Sequence, residues 1–491
     1  MPPDWFTQAI LAVAQFSSFG VLFLALVQNG LYVVQMVLAF LELRRTQGLE
    51  HQFSARWLLG TRPVPGISIL VPAYNEEVTI VDNIRSLLTL RYPRFQIIVV
   101  NDGSRDGTAA QVITAFQLKP VETSRPMAAP HQPVRGIYRN RDYPDLLFID
   151  KDNGGKSDAL NAALTFAEHP LVCAVDADSL LDHNSLLLAA RPFLEEPDAM
   201  IAVGGTIRIA NGSTIQGGTV VAEGAPRRVL PLFQVIEYFR AFLLARLAFS
   251  RLDAVAIVSG AFGLFKRSAV MQVGGYSTHT VGEDMELIVR LHRFFRDNGR
   301  PYSIRFLPDP VCWTEAPDTV KVLRRQRTRW QRGLCETLWT HRRMLFNKRY
   351  GRIGLLSLPQ FLVFDLIAPV LETVGLVLIP MFYVLGMIQI EFLLAYFAVV
   401  VLFGIFCSMT SFALAEVSFF KTTRRRDMVL YGLAAIGENF GYRQLNALWR
   451  IEGIWQFLRG RQGWGEMTRK GFAKKAAEEK AVPGVVAAEA G

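Results

Sequence analysis

The run Val172-Cys173-Ala174-Val175-Asp176-Ala177-Asp178 is a short apolar stretch that stops at two carboxylates one residue apart. A continuous apolar run bounded by charge predicts a strand covered on both faces, as in parallel sheets clad by helices. Ligands of such open sheets bind just beyond the carboxyl ends of the strands. Residues two apart on an extended segment point the same way, so Asp176 and Asp178 are expected to face one site. Two like charges so placed are costly unless a cation lies between them. Oxygen ligands with room for phosphate suit Mg²⁺ or Mn²⁺. A bare strand end running into a helix cap would give the same pattern, so the rest of the chain must decide.

From about Gly66 to Asn347 apolar runs alternate with helical patterns, which predicts a largely parallel sheet. Ile67–Val71 is the expected first strand, ending at Pro72-Ala73-Tyr74-Asn75-Glu76-Glu77. Gln96–Val100 is the second, ending at Asn101-Asp102-Gly103-Ser104, and a helix is expected from near Thr108. The Pro-rich and polar stretch from Lys119 to Pro144 reads as a surface loop or insertion. Leu146–Ile149 is the third strand, leading to Asp152-Asn153-Gly154-Gly155-Lys156-Ser157. Four successive strands thus end in ligand-type residues, which one sheet would gather at one edge.

Gly155-Lys156-Ser157 resembles the end of a P-loop, but the first glycine of that motif would fall on Asp150. Lys156 can still meet a diphosphate as a point charge, or simply open a helix in solvent. Farther on lie Val258-Ser259-Gly260-Ala261-Phe262, then Gly282-Glu283-Asp284 opening a helix, then Gln326-Arg327-Thr328-Arg329-Trp330. Asp284 is either a helix cap or a base. The arginines at 324, 325, 327, 329 and 332 either line a site or face lipid head groups.

The ends differ from this middle. Hydrophobic residues make up 51% of the chain and are concentrated at its two ends, which points to membrane segments around a globular unit. The net charge of +10 does not call for nucleic acid, because Lys and Arg cluster beside the apolar segments. One span is expected in 1–45, near Gly20–Leu41, with its N-terminus outside, followed by a linker over 46–65 and a cytoplasmic domain over 66–347. An interfacial helix follows in 348–366 and two spans in 367–420, with Lys421–Arg426 on the inside. Within 421–472, Met428–Trp449 carries Glu438, Asn439, Arg443 and Gln444, so a re-entrant or interfacial segment is favoured over a span. The Ala/Glu/Lys-rich tail, 473–491, is expected to be disordered. The four cysteines are far apart, without zinc spacing, and read as reduced structural thiols.

In their order and over roughly residues 65–335, these motifs resemble the family 2 inverting glycosyltransferases, specifically the membrane-embedded processive synthases of cellulose, hyaluronan, chitin oligosaccharide and poly-N-acetylglucosamine. The resemblance implies an α/β GT-A nucleotide-sugar transferase domain flanked by transmembrane and interfacial helices. It implies that Tyr74, Glu76 and Asp102 hold uracil and ribose, and that Lys156 and Asp176 lie along the nucleotide and diphosphate. Asp178, with Asp176, would ligate Mg²⁺ or Mn²⁺, and Asp284, beside Glu283, would be the general base. Gln326, Arg329 and Trp330 would frame the donor phosphates and the acceptor sugar, with Ser259 and Gly260 lining the acceptor side. The implied partners are a UDP-sugar donor (UDP-N-acetylglucosamine or UDP-glucose), a polysaccharide acceptor, the bilayer, and either further copies of the chain or an export subunit. The competing readings are single-sugar transfer to a lipid carrier and a non-catalytic nucleotide-sugar-binding or translocation subunit.

Overall fold

The computed structural model describes residues 4–50, 64–123, 125–216, 218–419 and 424–461. Most of the expected linker, part of the basic loop and the tail at 473–491 lie outside them. Helix α1 (Asp4–Glu50) is one rod, longer than the expected span because no proline breaks it. The polar pair Gln28 and Asn29 is accommodated in place. Gln28 Nε2 donates to the Tyr32 hydroxyl at 3.4 Å, and Asn29 Nδ2 to the carbonyl of Val399 at 3.4 Å.

The middle of the chain builds a ten-stranded mixed sheet. Its first half contains β1 (Ile67–Ala73), α2 (Ile80–Leu88), β2 (Phe95–Asp102), α3 (Thr108–Ala115), β3 (Lys119–Pro120), β4 (Val134–Asn140), β5 (Tyr143–Lys151), α4 (Lys156–Phe166) and β6 (Leu171–Ala174). After these come β7 (Leu180–Leu181), α5 (Ser185–Glu195), β8 (Met200–Ile209) and the small hairpin β9 (Thr214–Gln216) and β10 (Thr219–Ala222). Helix α6 (Val229–Phe239) continues through a π-helical stretch, Arg240–Arg246, into α7 (Leu247–Arg251). The unit closes with β11 (Gly263–Lys266), α8 (Arg267–Gln272), α9 (Glu283–Asp297), β12 (Ser303–Thr314) and α10 (Val320–Thr340). The strand order is β3-β4-β5-β2-β1-β6-β11-β8-β12-β7.

The four strands expected from sequence lie side by side and parallel, with Ile67 opposite both Phe95 and Leu171. Their carboxyl ends therefore share one edge. Ile67, Leu70, Ile97 to Val100 and Val172 are buried completely, as strands covered on both faces should be. Helix α4 is buried from Ser157 to Phe166 and packs on β1 and β2.

Two expectations about the sheet need correction. The stretch Lys119–Pro144 is not simply a loop: β3 and β4 extend the sheet at its edge, and β4 runs antiparallel to β5. Only Ile137 of β4 is buried, and a strand so thinly covered needs no apolar run to announce it. The strand carrying the two aspartates stops at Ala174, and Asp176 and Asp178 occupy the turn between β6 and β7. The alternation argument thus does not apply to them, although both reach the same cavity.

Beyond the sheet, helical structure runs without interruption from Ile353 to Val384, where an interfacial helix and a separate span were expected. It consists of a π-helical Ile353–Ser357, α11 (Leu358–Gln360), a π-helical Phe361–Ile367 and α12 (Ala368–Val384). Widened turns flank Pro359 and precede Pro369, and such turns let a helix absorb the missing donor. Next come α13 (Ile390–Phe397), a π-helical Ala398–Leu402 and α14 (Phe403–Phe419). Among the described residues three helices are long and apolar enough to cross a membrane: Leu22–Thr46, Ile353–Val384 and Ile390–Val417. The ambiguous 428–449 region forms α15 (Arg425–Gly437) and α16 (Tyr442–Leu458), broken at Gly441, whose φ of 91° suits glycine.

Candidate active site

The site is assembled from the ends of β2 and β6, the starts of α4 and α9, and the middle of α10. At the end of β2, Asp102 is 3% exposed. Its Oδ1 accepts from Lys151 Nζ at 2.6 Å and from Gly154 N at 3.0 Å; its Oδ2 accepts from Gly155 N at 2.7 Å and Asn153 Nδ2 at 3.2 Å. Lys151 is itself fully buried and also meets Asp158 at 2.5 Å. This network fixes the loop that turns, through Gly155 at φ 91°, into α4.

Lys156 opens α4 and is not solvated. Its ammonium bridges Asp176 at 2.7 Å and Glu283 at 3.0 Å. Burial works against its charge, but Asp176, Glu283 and Asp284 outweigh that and hold its pKa above the ordinary lysine value. Burial pushes the Glu283 carboxyl up; Lys156 opposes this and Asp284 adds to it.

Asp284 lies in the first turn of α9. Its Oδ2 accepts from Gly260 N at 3.0 Å and its Oδ1 from Met285 N at 2.8 Å, so two backbone donors orient the carboxylate. A Cβ on Gly260 would lie 2.7 Å from Lys156 Nζ and 3.6 Å from both Asp284 Oδ2 and Glu283 Oε1. Gly260 is therefore the point where these three side chains meet. The Thr280–Gly282 approach to α9 is clamped to α10: Thr280 Oγ1 and Val281 N each donate to Glu336 at 2.9 Å. Gly282 packs directly on Gly333 of the same helix.

Helix α10 supplies the opposite wall. Arg327 is buried, pairs with Glu237 at 2.7 Å and lies 4.2 Å over the Trp330 ring, while the Tyr442 hydroxyl donates to Glu237 at 2.6 Å. Arg327 is thus a support for Trp330 and not a lipid contact.

One cavity of about 550 Å³ is lined by Lys156, Asp176, Asp178, Ser259, Gly260, Glu283, Asp284, Gln326, Arg329 and Trp330. The volume is typical of small-molecule sites. Tyr74, Glu76 and Asp102 are not among its lining residues. Tyr74 is 40% exposed beyond β1, while Glu76 is buried and accepts from Thr79 Oγ1 at 2.8 Å. Asp102 instead holds the Asn153–Gly155 loop that leads into Lys156. In the other direction the cavity passes between the apolar helices, where Gln28, Tyr32, Gln360, Asp365, Glu372, Arg443 and Arg450 line it.

Sequence reasoning missed Lys151, Glu237 and Arg246. The charge alternation at Asp150-Lys151-Asp152 was a signal for Lys151, whereas Glu237 and Arg246 sit in an otherwise apolar helical pattern without a motif.

A mixed sheet that collects carboxylates and a lysine at its parallel edge, flanked by membrane-length helices, is a GT-A fold. Residues 68–274 match the family described as "Glycosyl transferase family 2". The chain is 33% identical over 276 residues to a poly-beta-1,6-N-acetyl-D-glucosamine synthase of Staphylococcus epidermidis, covering 56% of each chain. It is 30% identical over 294 residues to the synthase of the same name from Staphylococcus aureus strain COL, covering 60% of each. The matched region therefore spans somewhat over half the length of these curated relatives. Among solved structures, a mannosyltransferase from Pyrobaculum calidifontis in complex with GDP-Man and Mn²⁺ superposes with a TM-score of 0.50 at 18% identity, covering 90% of this chain and 100% of that one, a likeness of fold.

Proposed function

We propose that the protein is a membrane-embedded inverting glycosyltransferase that extends a β-linked polysaccharide from a UDP-sugar, with UDP-N-acetylglucosamine as donor. The observation that carries this reading is the convergence of Lys156, Asp176, Asp178, Asp284, Arg329 and Trp330 on one cavity. The similarity to poly-N-acetylglucosamine synthases favours the donor.

In the reaction an acceptor hydroxyl oxygen bonds to the anomeric carbon of the donor while the carbon–oxygen bond to UDP breaks. Asp284 takes the hydroxyl proton, and UDP leaves with the bonding pair. The two backbone donors on Asp284 keep its carboxylate aimed and unable to swing away. Negative charge growing on the diphosphate is met by Lys156 and Arg329. Trp330 offers a flat face for a sugar ring, held rigid by Arg327.

The donor set fits a hard divalent cation. Mg²⁺ and Mn²⁺ need only one or two protein carboxylates when phosphate oxygens complete the shell, and no cluster of three ligating side chains occurs among the described residues. Asp178 would be the principal ligand and Asp176 the second, since Asp176 already holds Lys156. The metal would supply charge neutralisation at the diphosphate.

The polar path between the apolar helices supports processive extension coupled to export, with the catalytic unit on the cytoplasmic face. UDP release from purified protein in lipid nanodiscs, with a panel of UDP-sugars and with or without EDTA, tests the activity. Product length on gels separates polymer synthesis from single-sugar transfer. Absence of UDP release with every donor would overturn the proposal.

A further inference from the structure

Arg246 ends the π-helical stretch that follows α6 and lines the same cavity as Asp284 and Trp330. Its guanidinium carbon stands 4.0 Å over the Phe242 ring and 5.8 Å from that of Phe306. These two rings are buried and stack on each other, with centroids 6.0 Å apart and planes inclined at 25°. The cation is thereby held on an apolar shelf with little freedom to turn away. Its Nη1 is buried without a hydrogen-bond partner, and among the described residues no carboxylate forms an ion pair with it. Burial lowers its pKa to about 10, opposed chiefly by the negative charge of Asp284. A guanidinium in a cavity with unfilled donors is costly unless something else satisfies it, and a planar fork of donors suits sugar or phosphate oxygens. Lys156 and Arg329 already stand near the expected diphosphate, whereas the carboxylate whose field Arg246 feels is the base.

We propose that Arg246 is an acceptor-binding residue that donates hydrogen bonds to an oxygen of the acceptor sugar next to the hydroxyl facing Asp284. The inference rests on the glycosyl-transfer reading above. A charged hydrogen bond lost here should raise the acceptor KM by roughly ten- to a hundredfold. A π-helical turn, which recurs at functional sites, gives the helix the extra width that brings this side chain to the cavity wall.

The test uses full-length Arg246→Gln and Arg246→Lys in nanodiscs, with short β-linked N-acetylglucosamine oligosaccharides as acceptor and UDP-N-acetylglucosamine as donor. The expected result is an acceptor KM raised at least about tenfold in Arg246→Gln and severalfold in Arg246→Lys, with UDP affinity by calorimetry within about twofold of wild type. Should Arg246→Gln fail to fold, Arg246→Lys carries the same comparison. An unchanged acceptor KM overturns the proposal. A parallel loss of UDP affinity also overturns it, by making Arg246 a diphosphate contact. Failure of the wild type to release UDP with any donor would instead sink the glycosyl-transfer reading itself, so the two failures are distinct.

Discussion

Gly260→Ala isolates the contribution of Lys156 to turnover. The backbone of Gly260 is not left-handed, so alanine fits its conformation. The added methyl would lie 2.7 Å from Lys156 Nζ, and the ammonium must retreat by roughly 0.8 Å to reach an ordinary contact of about 3.5 Å. Because that atom is the end of a flexible chain, the fold should lose no more than about 1 kcal/mol. The hydrogen bond from residue 260 N to Asp284 is kept, so the base stays in place. The bridge from Lys156 to Asp176 and Glu283 is stretched instead. Misplacement of a positioned group by about 1 Å costs on the order of a hundredfold in rate, or about 2.7 kcal/mol of barrier. The assay is UDP release under saturating donor and acceptor, alongside thermal unfolding in the same nanodiscs. A variant that melts like wild type and turns over at the wild-type rate would refute the idea that Lys156 must sit where it does.

Asp284→Asn should lower turnover by roughly 10²- to 10⁴-fold while UDP binding, followed by calorimetry, survives; undiminished turnover removes Asp284 from the role of base. Gly333→Ala should do more damage to the fold than Gly260→Ala, because its methyl would meet the backbone of Gly282 at 2.8 Å, and a loss of about 1–3 kcal/mol should be seen by thermal unfolding. Glu286, buried on α9, accepts from His341 Nε2 at 3.1 Å and Arg290 Nη2 at 2.9 Å. Burial raises its pKa, but these donors overcome that and hold it below the ordinary 4.5. A depressed native pKa stabilises the fold above the unfolded value and loses that benefit as pH falls through the native one. Glu286→Gln should therefore cost about 1–3 kcal/mol near neutrality, and the gap from wild type should close as pH falls below 4.5 in a series of melts. A gap independent of pH would contradict the assigned contacts.

Much of the sheet was legible because its central strands are buried on both faces and so advertise themselves as apolar runs ending in polar residues. Ile67–Val71 and Gln96–Val100 are of this kind. The strand Val134–Asn140, next to the edge, was not, since only Ile137 in it is buried and burial imposes no pattern there. The aspartates at 176 and 178 were read as strand residues but occupy a turn; composition marked their chemistry, and only the chain path decides their geometry. The cavity unites Lys156, Asp176, Asp178 and Asp284 as their motif order suggested, yet Asp102 is absent from its lining and its carboxylate pairs with the buried Lys151. Glu237 and Arg246 were invisible for a related reason. A single charge in an apolar helix acquires meaning from what lies across the cavity, and sequence order does not carry that distance.

Helix α10, which bears Trp330, is tied to the apolar helices directly through Gln331 and indirectly through α16, whose Trp449 carbonyl accepts from Thr328 Oγ1. Gln331 Nε2 donates to the Asp365 carbonyl at 2.7 Å, and Arg450 on α16 donates to the Asp365 carboxylate at 3.1 Å. The helix containing Asp365 has 32 residues, about 48 Å of length against a hydrocarbon layer of about 30 Å, so it must lean or protrude. Thinner lipids should make it lean farther and drag the aromatic platform with it. Acyl-chain length would then act as a throttle on sugar addition, while the grip on nucleotide stays indifferent to the membrane around it.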